Sequence, residues 1–301
     1  MTETNKEINS YPLWTAIVTP MNEDSSIDYI SFEKILREQD AAKNGIVILG
    51  STGEALNLGK EECKKILEFG LNLKLNSPIM TGIGGFNLAD TLEYTNYLNS
   101  LSALSAYLVV TPLYAKPGEH GQTAWFKAIM DTATRPCMLY NVPSRTGVKM
   151  HFNAVKNLAN HKNFWAIKEA SGSVEDFKKY VEANPRARLY SGDDGMMPDF
   201  APLGCVGLVS VASNAWPLET HAYVEKTLEK KLSAEEAALW TRACDSLFIA
   251  ANPVPVKNLM HAQGKIKTNI LRAPLNHLDL LENTPVLEAN KCILNWYKEN
   301  V

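Results

Sequence analysis

Eight short runs of apolar or β-branched residues recur between residues 16 and 211 of the chain. Each run is almost continuously apolar, and this pattern is typical of parallel β-strands that are covered on both faces. The predicted strands are residues 16–19, 45–49, 79–81, 106–110, 138–140, 165–168, 188–191 and 207–211.

Helix-length segments lie between the predicted strands, for example residues 31–44, 60–76, 88–101 and 120–134. Strands that alternate with helices indicate a parallel sheet with right-handed crossover connections. Eight such strands in about 200 residues are typical of a closed barrel, so we expect an α/β fold of the (β/α)8 TIM-barrel type. An open, doubly wound sheet is the competing fold.

The strand pattern ends near residue 218, and the rest of the chain has helical patterns at residues 228–250, 254–263 and 284–299. Ser233 and Glu236 have the spacing of a capping box. Pro255 suits the first turn of the helix predicted at residues 254–263. We therefore predict a (β/α)8 barrel domain over residues 1–217 and a small C-terminal helical appendage over residues 218–301.

The composition is that of a soluble globular protein, with 46% hydrophobic and 21% charged residues among 301. A net charge of -3 gives no reason to expect nucleic acid or an anionic membrane as a partner. The chain has no run of 18 apolar residues, and its start lacks the apolar core of a signal peptide. Five widely spaced cysteines without a Cys-x-x-Cys motif favour reduced thiols. We therefore expect a cytoplasmic protein.

Lys168 lies inside an apolar run, residues 164–171, that has the pattern of a buried strand. Removal from water disfavours a charged ammonium group, and a neutral lysine is a nucleophile that can form a Schiff base with a carbonyl compound. The alternative is a structural lysine that reaches solvent or pairs with a carboxylate such as that of Glu169. Because catalytic residues of TIM barrels lie at the carboxyl ends of the strands, the position of Lys168 favours catalysis.

Other polar residues follow other predicted strand ends. The turn Gly-Ser-Thr-Gly-Glu at residues 50–54 follows a strand and precedes a helix, so its backbone amides are suited to a carboxylate. An ordinary capped turn is the alternative. Tyr140 is suited to proton transfer beside the lysine, or to capping a loop. Arg145 is suited to a carboxylate, although an exposed loop arginine needs no ligand.

The sequence offers little for a metal or a nucleotide cofactor. Its six histidines lack ligand spacing, and none follows a predicted strand. Asp193 and Asp194 are candidates for a hard cation, but we interpret them as a hydrogen-bonding and capping pair. Neither a G-x-G-x-x-G turn nor a Walker loop is present. We therefore expect carbonyl chemistry on a lysine, without metal or cofactor.

Taken together, the motifs resemble the class I pyruvate-dependent lyase and synthase superfamily, which includes N-acetylneuraminate lyase, over residues 14–273. Within it they are most similar to the 4-hydroxy-tetrahydrodipicolinate (dihydrodipicolinate) synthase family. The Tyr-Asn-Val-Pro-Ser-Arg-Thr-Gly run distinguishes this family from other members of the superfamily. In this family, the arginine of the run receives the carboxylate of the second substrate. The motifs are residues 50–54, 140–147, 167–172 and 191–194, with Asn-Pro-Val-Pro-Val-Lys at 252–257.

The resemblance implies condensation of pyruvate with L-aspartate 4-semialdehyde to give 4-hydroxy-tetrahydrodipicolinate, in diaminopimelate and lysine biosynthesis. Lys168 forms an imine with the keto carbon of pyruvate, and the imine tautomerises to an enamine that attacks the aldehyde. The product amine then closes the ring and releases the lysine. No cofactor is implied other than this covalent imine.

The resemblance also assigns roles around Lys168. Tyr140, Thr52 and Tyr114 correspond to a proton-relay triad, with Tyr114 supplied by a neighbouring subunit. The resemblance implies a homotetramer built from tight dimers, and the shared use of Tyr114 requires at least a dimer. The substrate-binding assignments are Ser51 and Thr52 for the pyruvate carboxylate, Arg145 for the semialdehyde, and the backbone carbonyls of Gly192 and Val209.

One departure from the family pattern concerns regulation. Members inhibited by lysine have a pocket at a subunit interface that carries histidine, asparagine, glutamate and an additional tyrosine. A cation such as Lys60 and apolar side chains suit a lysine effector poorly, because its charged groups need paired acceptors. We therefore predict weak or absent feedback inhibition by lysine. The matching positions here hold Leu56, Lys60, Phe86, Asp90 and Leu113.

Two other functions are alternatives. The first is another pyruvate aldolase, which cleaves a sialic acid or a keto-deoxy sugar acid, and Arg145 argues against it. The second is a catalytically silent barrel that binds a keto acid for regulation. The intact set of Lys168, Tyr140, Thr52 and Tyr114 argues against that function.

Overall fold

The computed structural model describes residues 8–301, and its eight strands form a closed barrel in the order of the chain. The strand pairs whose register is described are all parallel. This arrangement confirms the predicted (β/α)8 barrel. The strands are β1 (Leu13–Ala16), β2 (Gly45–Ile48), β3 (Ile79–Ile83), β4 (Ala106–Val110), β5 (Cys137–Asn141), β6 (Phe164–Glu169), β7 (Arg188–Ser191) and β8 (Gly207–Ser210).

Helices follow the strands, and four more helices come after β8. The first group is α1 (Tyr29–Ala41), α2 (Lys60–Asn72), α3 (Leu88–Asn99), α4 (Glu119–Thr132), α5 (Pro143–Thr146), α6 (Phe152–Leu158), α7 (Val174–Ala183) and α8 (Met197–Phe200). The later group is α9 (Pro217–Leu228), α10 (Ala234–Ser246), α11 (Val254–Ala262) and α12 (Thr284–Asn300). Within residues 8–301, no helix has both the length and the apolar character required to cross a membrane.

The described chain forms two compact units. The first comprises residues 8–10 and 79–209, and the second comprises residues 11–78 and 210–301. The predicted boundary between residues 217 and 218 concerns a different division, into barrel and helical appendage, and stays a prediction.

The first unit carries the sheet from β3 to the start of β8. Its register aligns Tyr140 of β5 with Lys168 of β6, and Lys168 with Tyr190 of β7. Outside the sheet, Phe177 of α7 stacks on Phe200 of α8 with ring centroids 4.4 Å apart, and both rings are fully buried. This parallel sheet therefore places Tyr140 and Lys168 side by side.

The second unit pairs β1 with β2 and contains the C-terminal helices. Aromatic rings join α9, α10 and α12, because Tyr223 stacks on Trp240 at 4.3 Å and Trp296 meets the same indole edge-on at 5.1 Å. Trp240 is fully buried, so these rings form the apolar centre of the helical part.

The first strand lies three residues earlier than predicted. Beyond its end, the side chain of Asn214 accepts a hydrogen bond from the backbone N–H of Val18 at 3.0 Å. The hydroxyl of Thr19 donates to the carbonyl of Gly53 at 2.8 Å. The residues directly after β1 are thus buried by contacts with loops. The hydrophobic pattern of the sequence does not distinguish such burial from strand pairing.

Helix α10 occupies residues 234–246 of the stretch 228–250, for which the sequence predicts a helical pattern. Helix α9 ends at Leu228, and the chain turns through Lys230, whose φ of +59° is in the left-handed region. Helix α10 then begins after Ser233. The Ser233 hydroxyl accepts from the Glu236 N–H at 3.1 Å, and the Glu236 carboxylate accepts from the Ser233 N–H at 2.7 Å, so the predicted capping box is confirmed.

Candidate active site

Lys168 lies near the carboxyl end of β6 and is 5% exposed. Its Nζ lies 4.3 Å from the centre of the Tyr140 ring, over the face of the aromatic system. Tyr140 is itself buried, and its backbone carbonyl accepts hydrogen bonds from the N–H and hydroxyl of Thr111. Both side chains therefore belong to adjacent strands that fix their separation.

Gly192 follows β7 and leaves the space that the Lys168 side chain occupies. A Cβ atom at this position would lie 2.8 Å from Cε of Lys168 and 2.7 Å from Cβ of Ala170. The N–H of Gly192 also donates to the carbonyl of Glu169 at 2.6 Å. The close approach of backbone to lysine explains why a glycine is needed here.

Glu169 follows Lys168 in β6 and points to the opposite face of the strand. Its fully buried carboxylate accepts from Nδ2 of Asn141 at 2.8 Å, from the N–H of Ser171 at 2.9 Å, and from the Ser171 hydroxyl. Burial raises the pKa of Glu169 to about 7, although these hydrogen bonds oppose the change. The carboxylate of Glu169 is thus hydrogen-bonded to Asn141 and Ser171. The structural alternative for Lys168 had expected this carboxylate to pair with the lysine.

Asp193 is the acidic group whose charge interacts with Lys168. Burial raises the pKa of Asp193 to about 6, while a hydrogen bond from the Gly172 N–H and the positive charge of Lys168 oppose that rise. The bond from Gly172 is 3.0 Å long, and the carbonyl of Asp193 accepts from the Ser191 hydroxyl at 2.7 Å. These contacts agree with the interpretation of Asp193 as a hydrogen-bonding residue.

Arg145 and Tyr114 lie on the loops that follow β5 and β4. Arg145 belongs to the short helix α5 and is exposed. Tyr114 is 91% exposed and has a φ of +64°, an uncommon conformation for a residue with a side chain. Its N–H donates to the carbonyl of Thr146 at 3.2 Å, which ties its loop to α5.

Ser51 and Thr52 lie in the second unit, in the turn after β2. The N–H groups of Gly53 and Glu54 donate to carbonyls earlier in the same turn. Contrary to the prediction, the turn is not the N-terminus of an α-helix, because it leads into a 3-10 turn at Ala55–Asn57 and α2 starts later. Any carboxylate cradle here therefore consists of turn amides and hydroxyls.

Three residues around this turn had no role in the sequence-based site. Nδ2 of Asn252 donates to the Thr52 hydroxyl at 2.9 Å. Nζ of Lys257 lies 2.8 Å from Oε1 of Glu54, and both side chains are 0% exposed. Burial lowers the pKa of Lys257, and the Glu54 carboxylate opposes that change. The only signal for these contacts was the Asn-Pro-Val-Pro-Val-Lys run, whose partners a sequence pattern does not reveal.

The remaining predicted residue, Val209, is fully buried in β8. The structure thus brings Lys168, Tyr140 and Gly192 into direct proximity within the first unit, with Arg145 and Tyr114 on loops of the same unit. Ser51 and Thr52 are held within the second. Among residues 8–301, no group of three histidine, cysteine, aspartate or glutamate side chains is arranged to hold a metal ion.

Comparison with known proteins identifies the family. Residues 10–290 match the sequence model of the dihydrodipicolinate synthetase family. The chain belongs to this family. A 4-hydroxy-tetrahydrodipicolinate synthase of Francisella tularensis subsp. novicida is 46% identical over 285 residues, covering 95% of this chain and 96% of that protein. Another, from Wolbachia pipientis wMel, is 45% identical over 285 residues, covering 94% of this chain and 96% of that protein.

A solved structure gives the same answer for the fold. The chloride-inhibited dihydrodipicolinate synthase of Acinetobacter baumannii, crystallised in complex with pyruvate, matches with a TM-score of 0.87. The two sequences are 31% identical, and the match covers 94% of this chain and 98% of that chain. These comparisons confirm both the predicted family and the predicted fold.

Proposed function

We propose that this chain is a 4-hydroxy-tetrahydrodipicolinate synthase, a lyase that condenses pyruvate with L-aspartate 4-semialdehyde in diaminopimelate and lysine biosynthesis. The observation that carries the proposal is the buried Lys168 at the carboxyl end of β6, with its Nζ against the Tyr140 ring. Family membership over residues 10–290 supports the same reaction.

In the first half of the reaction, the unprotonated Nζ of Lys168 attacks the keto carbon of pyruvate. The resulting carbinolamine loses water and becomes an imine. Loss of a proton from the pyruvate methyl group then gives an enamine. These steps need a group that moves protons within reach of the lysine. The Tyr140 phenol suits this role, because Tyr140 lies on an adjacent strand with its ring centre 4.3 Å from Nζ of Lys168.

In the second half, the enamine carbon attacks the aldehyde carbon of the semialdehyde, and the new oxygen takes up a proton. The amine of that substrate then attacks the imine carbon and closes the ring. Expulsion of Lys168 restores the free enzyme, so the overall reaction releases one water and consumes no cofactor. Arg145 binds the semialdehyde carboxylate, because its planar guanidinium matches the two oxygens.

The other assigned residues complete the site. Ser51 and Thr52 bind the pyruvate carboxylate, and the Thr52 hydroxyl continues the proton relay from Tyr140. The backbone carbonyls of Gly192 and Val209 line the pocket. For Gly192, the contact of its backbone with the Lys168 side chain supports this assignment.

Tyr114 completes the relay from a neighbouring subunit. Its 91% exposure and its left-handed backbone support this role, because a strained conformation is kept where a function requires it. The active form is then at least a dimer, and we propose a homotetramer made of two such dimers. We also propose that the reaction takes place in the cytoplasm, which agrees with five free cysteines.

Trapping of the imine tests the function. Borohydride reduction in the presence of pyruvate should attach one pyruvate unit to Lys168, as identified by peptide mass mapping. Lys168→Arg should form no adduct, because a guanidinium stays protonated. An adduct at another lysine, or none, would refute the mechanism. Assays that offer each candidate aldehyde with pyruvate separate this function from that of another pyruvate aldolase.

Feedback inhibition by lysine should be weak or absent. Leu56 and Phe86 are 72% and 75% exposed and offer apolar surface, and Lys60 offers a positive charge. Among the five matching positions, Asp90 is the one side chain that provides an acceptor for an ammonium group. Steady-state assays with lysine should therefore show no inhibition below about 1 mM, a concentration typical of weak small-molecule binding. Inhibition at lower concentrations would contradict the proposal.

A further inference from the structure

Residues 252–257 contact the turn of Ser51 and Thr52 at two points. Asn252 donates to the Thr52 hydroxyl at 2.9 Å, and Lys257 pairs with Glu54 at 2.8 Å. We call residues 252–257 the clamp segment. It belongs to the C-terminal helical part and meets the turn within the second unit.

The ion pair between Lys257 and Glu54 is completely buried, and both partners make further hydrogen bonds. Both side chains are 0% exposed. Lys257 also donates to the backbone carbonyl of Thr19 at 3.0 Å, and the second oxygen of Glu54 accepts from the N–H of Arg272 at 2.8 Å. Burying two charges brings little net stability, and apolar replacements are often as stable. The pair is therefore better explained by the geometry that it imposes.

That geometry concerns the end of the turn. Glu54 has a φ of +58°, in the left-handed region, where a residue with a side chain must be held by its surroundings. The preceding carbonyl, of Gly53, accepts from the Thr19 hydroxyl at 2.8 Å. Lys257 also donates to the carbonyl of Thr19, so it links Glu54 to the residue that binds Gly53. Together these bonds fix the backbone directly after Thr52.

Asn252 acts on the side chain of Thr52. A hydroxyl group has one proton to donate and can accept through its lone pairs. Because the Thr52 oxygen accepts from the Asn252 amide, its proton points away from that amide and is available to another acceptor. Asn252 therefore sets the direction in which Thr52 can pass a proton.

We infer that Asn252 and Lys257 are positioning residues for Thr52, which hold its hydroxyl and the adjacent turn amides in the arrangement that pyruvate binding and proton relay require. The inference rests on the proposed function, in which Ser51 and Thr52 bind pyruvate. It gives the Asn-Pro-Val-Pro-Val-Lys run a role in the site, although neither residue touches substrate.

Kinetics of Lys257→Met test the inference, with Lys226→Met as the matched control. Lys226 pairs with Glu236 at 2.6 Å, in the helical part of the same unit and without a bond to the turn. We expect Lys257→Met to raise the KM for pyruvate about tenfold and lower kcat about tenfold, with the KM for the semialdehyde changed by less than about twofold. The control should lose thermal stability alone. Parental kinetics in Lys257→Met would overturn the inference.

A double variant, Lys257→Met with Glu54→Gln, covers the case in which the single variant fails to fold. It leaves no lone buried charge, so its Tm should exceed that of Lys257→Met. Because the link to Thr19 is still missing, its pyruvate KM should stay raised about tenfold. Recovery of parental kinetics in the double variant would mean a purely structural role and would overturn the inference.

Asn252→Asp tests the second contact with almost no change of shape. A carboxylate can only accept, so it should take the Thr52 proton and reverse the direction of the hydrogen bond. We expect slower borohydride trapping of pyruvate on Lys168, kcat lower by about tenfold, and a lower Tm, because burying a carboxylate costs stability. Unchanged trapping and kcat would overturn this part. If the parent itself forms no adduct at Lys168, the proposed function fails and the inference with it.

Discussion

At the scale of single residues, β6 separates two adjacent groups with different tasks. Lys168 lies against the Tyr140 ring, whereas Glu169 points to the other face and binds Asn141 and Ser171. Strand alternation produces this separation, because successive side chains point to opposite faces. Glu169 is therefore not the partner of its neighbour in the chain, and the amine of Lys168 lies against the Tyr140 ring.

Gly192→Ala should displace Lys168 and lower activity. The new methyl group would lie 2.8 Å from Cε of Lys168, so the lysine or the β7 loop must move. A displacement of about 1 Å at a reacting group costs about a hundredfold in kcat. Overpacking should also destabilise the fold by about 1–3 kcal/mol.

The control for this change is Gly118→Ala. Position 118 has a φ of -77°, and a Cβ there would meet no atom within 4 Å. Steady-state kinetics and borohydride trapping of both variants check the prediction. Parental kcat in Gly192→Ala would contradict it.

Stability should fall as the pH rises from about 5 to about 8. The pKa of Glu169 is raised by burial from 4.5 to about 7, and that of Asp193 is raised by burial from 3.8 to about 6. Within this range the folded chain holds protons that the unfolded chain has released. The stability that these protons provide is complete below the unfolded values and is lost as the pH passes the folded ones.

Thermal unfolding at a series of pH values measures this effect. Glu169→Gln should show a smaller fall in Tm between pH 5 and 8 than the parent, since a neutral amide does not titrate. Glu175→Gln is the control, because a hydrogen bond from Lys179 lowers the pKa of Glu175, which then titrates below this range. An equal fall in parent and Glu169→Gln would refute the assignment.

At the scale of elements, the turn after β2 and the helices of the C-terminal part are defined by specific hydrogen bonds. The turn ends at the left-handed Glu54, and α10 begins at a capping box formed by Ser233 and Glu236. The box was recognisable in the sequence because both partners lie within four residues. The left-handed Lys230, which separates α9 from α10, carries no comparable signal. Local hydrogen bonding is therefore predictable where the partners are close in the chain.

Ser233→Ala should destabilise the protein without changing its kinetics. Loss of an N-cap hydroxyl costs about 1 kcal/mol, because the N–H of Glu236 loses its partner. Glu235→Ala, in the same turn, keeps the cap and should cost less than about half as much. Urea unfolding and kcat measure the two effects. Equal losses in the two variants would argue against the cap.

At the scale of the whole molecule, the closed barrel gathers the carboxyl ends of strands that are far apart in the sequence. Lys168 and Tyr140 come together because β5 and β6 are neighbours with this register. Tyr114 is different, since its side chain is directed into solvent in the single chain. The proposed relay therefore requires a second copy of the chain.

Mixing two inactive variants tests the shared site. In a dimer of one Tyr114→Phe and one Lys168→Arg subunit, the first subunit keeps Lys168 and receives an intact Tyr114 from its partner. After subunit exchange, about a quarter of parental activity should return, since half of the dimers are mixed and each has one complete site. Tyr114→Ala in place of Tyr114→Phe provides the matched comparison for lost packing.

If the mixture shows only the summed activity of its parts, Tyr114 does not act across an interface. Sedimentation of each variant serves as the control, because both must remain at least dimeric for exchange to occur.

The sequence by itself determined the barrel, most element positions and the lysine that we propose as the nucleophile. Strands covered on both faces must be apolar along their whole length, so they leave a local signature that a pattern can detect. Lys168 was recognisable because a cation inside such a run is exceptional. Residues that are buried without strand pairing show the same apolar pattern. For this reason β1 was predicted three residues too late.

Only the tertiary structure decided which distant residues contact the turn after β2 and Lys168. Lys257 and Glu54 are 203 positions apart in the chain, and nothing in either local sequence indicates that the two form a buried ion pair. The need for glycine at position 192 likewise follows from the approach of the Lys168 side chain on the neighbouring strand. Contacts of this kind arise when the barrel closes and the C-terminal helices pack, because the partners meet only through the fold.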